Sequence, residues 1–172
     1  MRVQCGVLFL FCVGMMVVAL FLQYAMHLEP CPLCVIDRGL VVLAGLIYFI
    51  AWVHSPKNIS RYRWYSALGL IVALVGIGVC GWHWHLLLLP PSALPSCTPS
   101  LNYLLETLPL SQVLLTIFKS SGECAKAVNL WGIPIPVWTL GGFLVIALGS
   151  IWVFVGAKKR AAIAATPSHS LH

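Results

Sequence analysis

Long apolar stretches separated by short polar breaks dominate this chain. No side chain between Arg2 and Glu29 is charged, and three further apolar runs follow, Gly39 to Val53, Tyr65 to Leu89 and Ile133 to Ala157. A helix needs about 20 apolar residues, each rising about 1.5 Å, to cross a hydrocarbon core about 30 Å thick. The second run reaches that length once Pro32 to Arg38 supplies its first, interfacial turn. The pattern predicts an all-α membrane protein, a bundle of four transmembrane helices near residues 6–26, 32–53, 65–89 and 135–157.

Local signals punctuate these spans. The first run follows Arg2 but is longer than a signal-peptide core, lacks an Ala-x-Ala site near its end, and leads straight into another span, so it is read as helix one. Pro32 suits the first helical position, where a fixed φ and a missing N–H cost nothing. Ser55-Pro56 stops the second helix, and Pro90-Pro91 the third. Residues 90–134 form a loop of 45 residues, too long for a mere connector. Within it Leu101, Leu104, Leu105 and Leu108 recur at helical spacing, as do Val113, Leu114, Ile117 and Phe118. These predict short amphipathic helices, lying on the membrane surface or capping the bundle. The spans and loop make one domain, residues 1–160, followed by a tail, 161–172, predicted to be disordered.

Composition agrees with burial in a bilayer: 60% of the residues are hydrophobic and only 8% charged, against about 25% charged in soluble domains. Charge then sets orientation. Four spans place both termini and the 53–65 loop on one side, with Arg2, Lys57, Arg61, Arg63, Lys158, Lys159 and Arg160. The other side holds Arg38, Lys119 and Lys126 with all four acidic residues, Glu29, Asp37, Glu106 and Glu123. The basic side is predicted to be cytoplasmic. The net charge of +6 therefore follows from topology, and no basic stripe interleaved with aromatics points to nucleic acid.

The same map divides the seven cysteines. Cys5, Cys12 and Cys80 lie within or near spans and read as small apolar packing residues. Cys31, Cys34, Cys97 and Cys124 fall on the outer side, where an oxidising compartment permits disulfides. Cys31-Pro-Leu-Cys34 is a Cys-x-x-Cys pair at a helix start, where one turn brings the sulfurs together and the helix dipole favours a thiolate. Thiolate is both attacking and leaving species in disulfide exchange. Arg38, one turn after Cys34, can stabilise an anionic cysteine or a reduced cofactor; a pair with Asp37 or a snorkelling lipid contact is the structural alternative. Cys97 and Cys124 are a second candidate pair, or a static staple of the outer loop. Zinc is disfavoured, because these two lack a second Cys-x-x-Cys spacing.

His83 and His85 flank Trp84, and at about 200° apart around a helix only one can face the bundle. Either a quinone contact or a packed histidine suits that position. Gln23, a polar residue deep in helix one, is likewise a helix-packing contact or a ligand contact.

Taken together, Gln23 spaced before Pro30, then Cys31-Pro32-Leu33-Cys34 and Arg38, resembles the DsbB family of disulfide bond formation proteins. The resemblance extends to Pro95-Ser96-Cys97, to Ser121-Gly122-Glu123-Cys124-Ala125 at 27 residues from Cys97 to Cys124, and to Pro134-Ile-Pro-Val-Trp-Thr-Leu-Gly141. The family's histidine ahead of the reactive loop falls cleanly on neither His83 nor His85. The resemblance implies an enzyme of the bacterial inner membrane whose outer loop is periplasmic. A DsbA-like, thioredoxin-fold partner would attack a Cys97–Cys124 bridge at Cys97, and the freed Cys124 would be re-oxidised by Cys31–Cys34. Cys34 would pass the electrons to ubiquinone or menaquinone from the membrane pool, held by Arg38 with Gln23, His83 or His85. Two other readings of the same cysteines are a vitamin K epoxide reductase-like thiol oxidoreductase, whose cysteine pairs come in the reverse order, and a non-enzymatic membrane protein with structural disulfides.

Overall fold

The computed structural model describes residues 1–26, 32–54, 59–88, 109, 112, 129–130 and 133–165. Four long helices dominate them: α1 (Arg2–Ala25), α2 (Pro32–His54), α3 (Ile59–Leu87) and α4 (Ile135–Ala165). Each carries a stretch long and apolar enough to cross a membrane: Arg2–Ala25, Leu33–His54, Arg61–Leu87 and Ile135–Lys159. The fold is that of a multi-pass, all-helical membrane protein.

The helices run past the apolar stretches. Residues 59–64, which composition assigns to a polar loop, form the opening of α3, and α4 continues through Lys158-Lys159-Arg160 to Ala165. Arg, Lys and Ala are good helix formers, so leaving the hydrocarbon does not end a helix already propagating. Part of the expected tail is therefore helical. A small ribbon also stands before α4: β1 (Asn129–Leu130) pairs antiparallel with β2 (Ile133–Pro134), Leu130 opposite Ile133. The two intervening residues in sequence are Trp131 and Gly132, and glycine suits so short a connection. The expected loop helices at 101–108 and 113–118 lie outside the described residues, apart from Pro109 and Gln112 beside them, which are joined by a 2.9 Å backbone hydrogen bond.

Packing is closest between α3 and α4, then α1 with α2 and α2 with α3; α1 meets α4 over a smaller contact. Small residues set these approaches. A methyl group at Gly76 would collide with the Phe143 ring, and one at Gly69 with the Tyr48 hydroxyl. Tyr48 and Phe143 are fully buried, so each glycine admits a large aromatic from a neighbouring helix, as bundle interfaces in lipid require. Tyr48 Oη is hydrogen-bonded to Ser150 Oγ on α4, and Ser150 Oγ also donates to the Ile146 carbonyl at 2.6 Å. At one end, Arg63 of α3 lies over the Phe154 ring of α4, 5.4 Å from its centroid. Arg61, Lys158 and Lys159 are exposed at that same end. The opposite end carries the candidate chemistry.

Candidate functional site

Antiparallel packing gathers the last turns of α1, the first turns of α2 and the last turns of α3. Gln23 comes from α1, Cys34, Asp37 and Arg38 from α2, and Cys80, His83 and His85 from α3. Cys34 is half-buried in the opening turn of α2, behind Leu33, which is fully buried. Cys31, Cys97 and Cys124 lie outside the described residues.

Arg38 follows Cys34 by one turn, and its guanidinium reaches across to α1. Nη1 donates to Gln23 Oε1, and Nη2 donates to the Ala19 carbonyl at 3.2 Å. Ala19 and Gln23 are four residues apart and so share a helical face. The planar fork of arginine grips both at once in a fixed geometry that a lysine ammonium does not offer. Two residues singled out separately by sequence are thus one hydrogen-bonded unit joining α1 to α2. The guanidinium has five N–H donors in all, so further ones remain for a ligand.

Asp37 points the other way, towards α3. Its side chain is only 4% exposed, and Oδ2 accepts a hydrogen bond from the Cys80 thiol at 3.5 Å. Asp37 is therefore tied to α3, whereas its neighbour Arg38 is tied to α1. Cys80 has a polar role beyond the apolar packing its position suggested, although it is fully buried as expected. Cys5 and Cys12 are buried at helix contacts among apolar neighbours. The sequence signal for the Asp37–Cys80 contact was a carboxyl inside an otherwise apolar helix. Nothing in the spacing pointed to Cys80 as its partner.

The two histidines separate. His83 is buried at 3% exposure, one turn beyond Cys80 on the inner face of α3. His85 is exposed, with its ring 5.8 Å from that of Trp82. Among the described residues no cluster of His, Cys, Asp and Glu has the makings of a metal site.

A four-helix membrane bundle with a cysteine, a guanidinium and a buried carboxyl gathered at one end defines the class. Residues 1–153 match the family model described as Disulfide bond formation protein DsbB, and the chain belongs to that family. Its relatives include proteins named Disulfide bond formation protein B from several bacteria. That of Nitrosococcus oceani is 39% identical over 145 residues, 84% of this chain and 85% of the relative. That of Acinetobacter baumannii is 39% identical over 166 residues, 92% of this chain and 97% of the relative. That of Chromohalobacter salexigens is 40% identical over 160 residues, 92% and 93% of the two chains.

Proposed function

We propose that this chain is a thiol:quinone oxidoreductase of the bacterial inner membrane, with both termini cytoplasmic, that re-oxidises a periplasmic DsbA-like, thioredoxin-fold partner. The observation that carries this is the Arg38–Gln23 unit one turn from Cys34, in a member of the disulfide bond formation family. A quinone head group offers two carbonyl acceptors and no strong donor. A site for it needs hydrogen-bond donors set in apolar surroundings. The remaining guanidinium N–H groups of Arg38 and the Gln23 amide N–H₂ are such donors. Leu20, Phe21 and Val35, exposed on the same turns, suit an isoprenoid chain. The residues present therefore fit the group.

The chain's own steps follow from thiol chemistry. A thiolate of the reduced partner attacks a Cys97–Cys124 disulfide at Cys97, releasing Cys124. Formation of the partner's own disulfide then frees Cys97. The loop thiols exchange with the Cys31–Cys34 disulfide and leave that pair reduced, and each exchange conserves electrons and protons. Cys34, at the helix start and beside Arg38, is the sulfur best held as a thiolate and so the one facing the acceptor. A bound quinone supplies the strongly oxidising two-electron sink that makes the sequence run downhill, since about 30 mV is about 1.4 kcal/mol for such a couple. Arg38 binds and orients it, with Gln23 holding the guanidinium in place. His83 is the inward-facing histidine of the pair and the better placed for a carbonyl contact.

Trapping the thiols in cells tests this. Acid quenching and alkylation should find Cys31, Cys34, Cys97 and Cys124 oxidised in quinone-replete cells and reduced when quinone synthesis is blocked. Cysteines that stay oxidised in both conditions would mark structural disulfides and contradict the proposal.

A further inference from the structure

Asp37 is a buried carboxyl whose setting the reaction above leaves unused. Oδ2 is occupied by the Cys80 thiol, while Oδ1 is buried with no hydrogen-bond partner. Buried polar atoms are nearly always partnered, so an orphan oxygen in the interior calls for an explanation. The adjacent guanidinium turns away to Gln23 and Ala19. Asp37 is also three residues after Cys34 on α2, hence on the same helical face. Cys34 lies one turn before both Asp37 and Arg38 on α2, so the Asp37–Cys80 pair flanks it on one side and the Arg38–Gln23 unit on the other.

We propose that Asp37 is the proton carrier of this end of the bundle: Oδ1 takes a proton released from the Cys31–Cys34 thiols and passes it on towards the electron acceptor, while Cys80 orients the carboxyl through Oδ2. The step rests on the function proposed above. Two thiols give up two electrons and two protons as the S–S bond of Cys31–Cys34 forms. Both electrons and both protons end on the quinone, which leaves as quinol. Asp37 carries the protons singly and finishes in the state in which it began. Cys34 is half-buried one turn before the carboxyl, so a proton passed through Asp37 need not leave for solvent. A carboxyl held at one oxygen and open at the other can receive and release a proton without rotating. Cys80 is a positioning residue in this scheme, since it acts only through Asp37.

The test uses the full-length chain in lipid nanodiscs. Asp37→Asn keeps the shape and an acceptor oxygen but cannot release a proton, whereas Asp37→Glu keeps the acid. Positioned acid–base groups contribute about 100-fold or more. Asp37→Asn should therefore slow quinone reduction about 100-fold with an unchanged quinone KM and an unchanged thermal midpoint, and Asp37→Glu should recover most of the rate. A second readout needs no quinone. Oxidation of the neighbouring sulfur changes the surroundings of the carboxyl, so the infrared difference spectrum between dithiol-reduced and oxidised protein should show a displaced carboxyl C=O band that vanishes in Asp37→Asn and shifts in Cys80→Ala.

Persistence of that band in Asp37→Asn, or its loss in His83→Asn instead, would overturn the proposal. So would failure of Asp37→Asn and Asp37→Glu together with lowered thermal midpoints, which marks a structural carboxyl. A wild-type chain that reduces no quinone overturns the proposed function and this step with it. A wild-type chain that does, beside an unimpaired Asp37→Asn, overturns this step alone.

Discussion

The guanidinium of Arg38 on α2 is hydrogen-bonded to the side-chain oxygen of Gln23 on α1, and its second amino group holds the Ala19 carbonyl one turn back. Arginine is thereby fixed in direction before any ligand arrives. Preorganisation of this kind lowers the cost of binding, because the side chain need not be immobilised when the ligand docks. If Arg38 holds quinone, Arg38→Met should raise the quinone KM by roughly 10 to 100-fold, the equivalent of about 1.5–3 kcal/mol for a hydrogen bond from a charged donor. Arg38→Lys should fall between, since it keeps charge and loses the fork. Partner exchange at Cys97 should be unchanged in both. Steady-state kinetics beside expression level would check this, and wild-type kinetics in Arg38→Met would reduce the guanidinium to a helix clamp.

Gln23 acts through Arg38 and should show a smaller effect of the same kind. Gln23→Ala removes one neutral partner of the guanidinium, worth about 1 kcal/mol, so the quinone KM should rise roughly fivefold. Combining it with Arg38→Met should add little, because both changes dismantle one unit. A double-mutant cycle on the KM values measures that coupling directly.

The loop cysteines make a separate prediction. With Cys124→Ser the resolving thiol is missing, and the chain should accumulate a covalent complex with its partner through Cys97. Non-reducing electrophoresis would show the adduct and its loss on reduction. An adduct that needs Cys124 and survives removal of Cys97 would reverse the roles of the two.

Packing supplies a control independent of redox chemistry. Gly76→Ala drives a methyl group into the buried Phe143 ring, whereas a methyl group at Gly78 meets nothing within 4 Å. Overpacking of this sort costs about 1–3 kcal/mol. Gly76→Ala should thus lower the thermal midpoint in detergent while Gly78→Ala leaves it in place. Equal midpoints would contradict the α3–α4 contact described above.

The four helices were legible because hydrocarbon imposes a minimum apolar length, and four such runs stand in the sequence. Their ends were less so: Ile59 and Ala165 lie beyond the apolar runs, where helix propensity rather than hydropathy decides. At the site, Arg38 and Gln23 could each be singled out as polar residues in apolar helices. That they bind one another depends on the rotation of α1 against α2, which no periodicity encodes. The Asp37–Cys80 contact was hidden for the same reason, compounded by the habit of pairing an acid with the arginine beside it. Helical spacing allowed only one of His83 and His85 to face inwards; the packing of α3 makes it His83. The ribbon before α4 was missed because strands two residues long carry no readable alternation.

Quinone reduction under anaerobic conditions tests the central claim most directly. Purified chain, quinone and the reduced DsbA-like partner are mixed, and quinone absorbance is followed together with free thiols. One quinone should be reduced for each partner disulfide formed. Cys31→Ser and Cys34→Ser should abolish the reaction while remaining folded and membrane-inserted. Partner oxidation without loss of quinone, or normal turnover in either serine variant, would contradict the account.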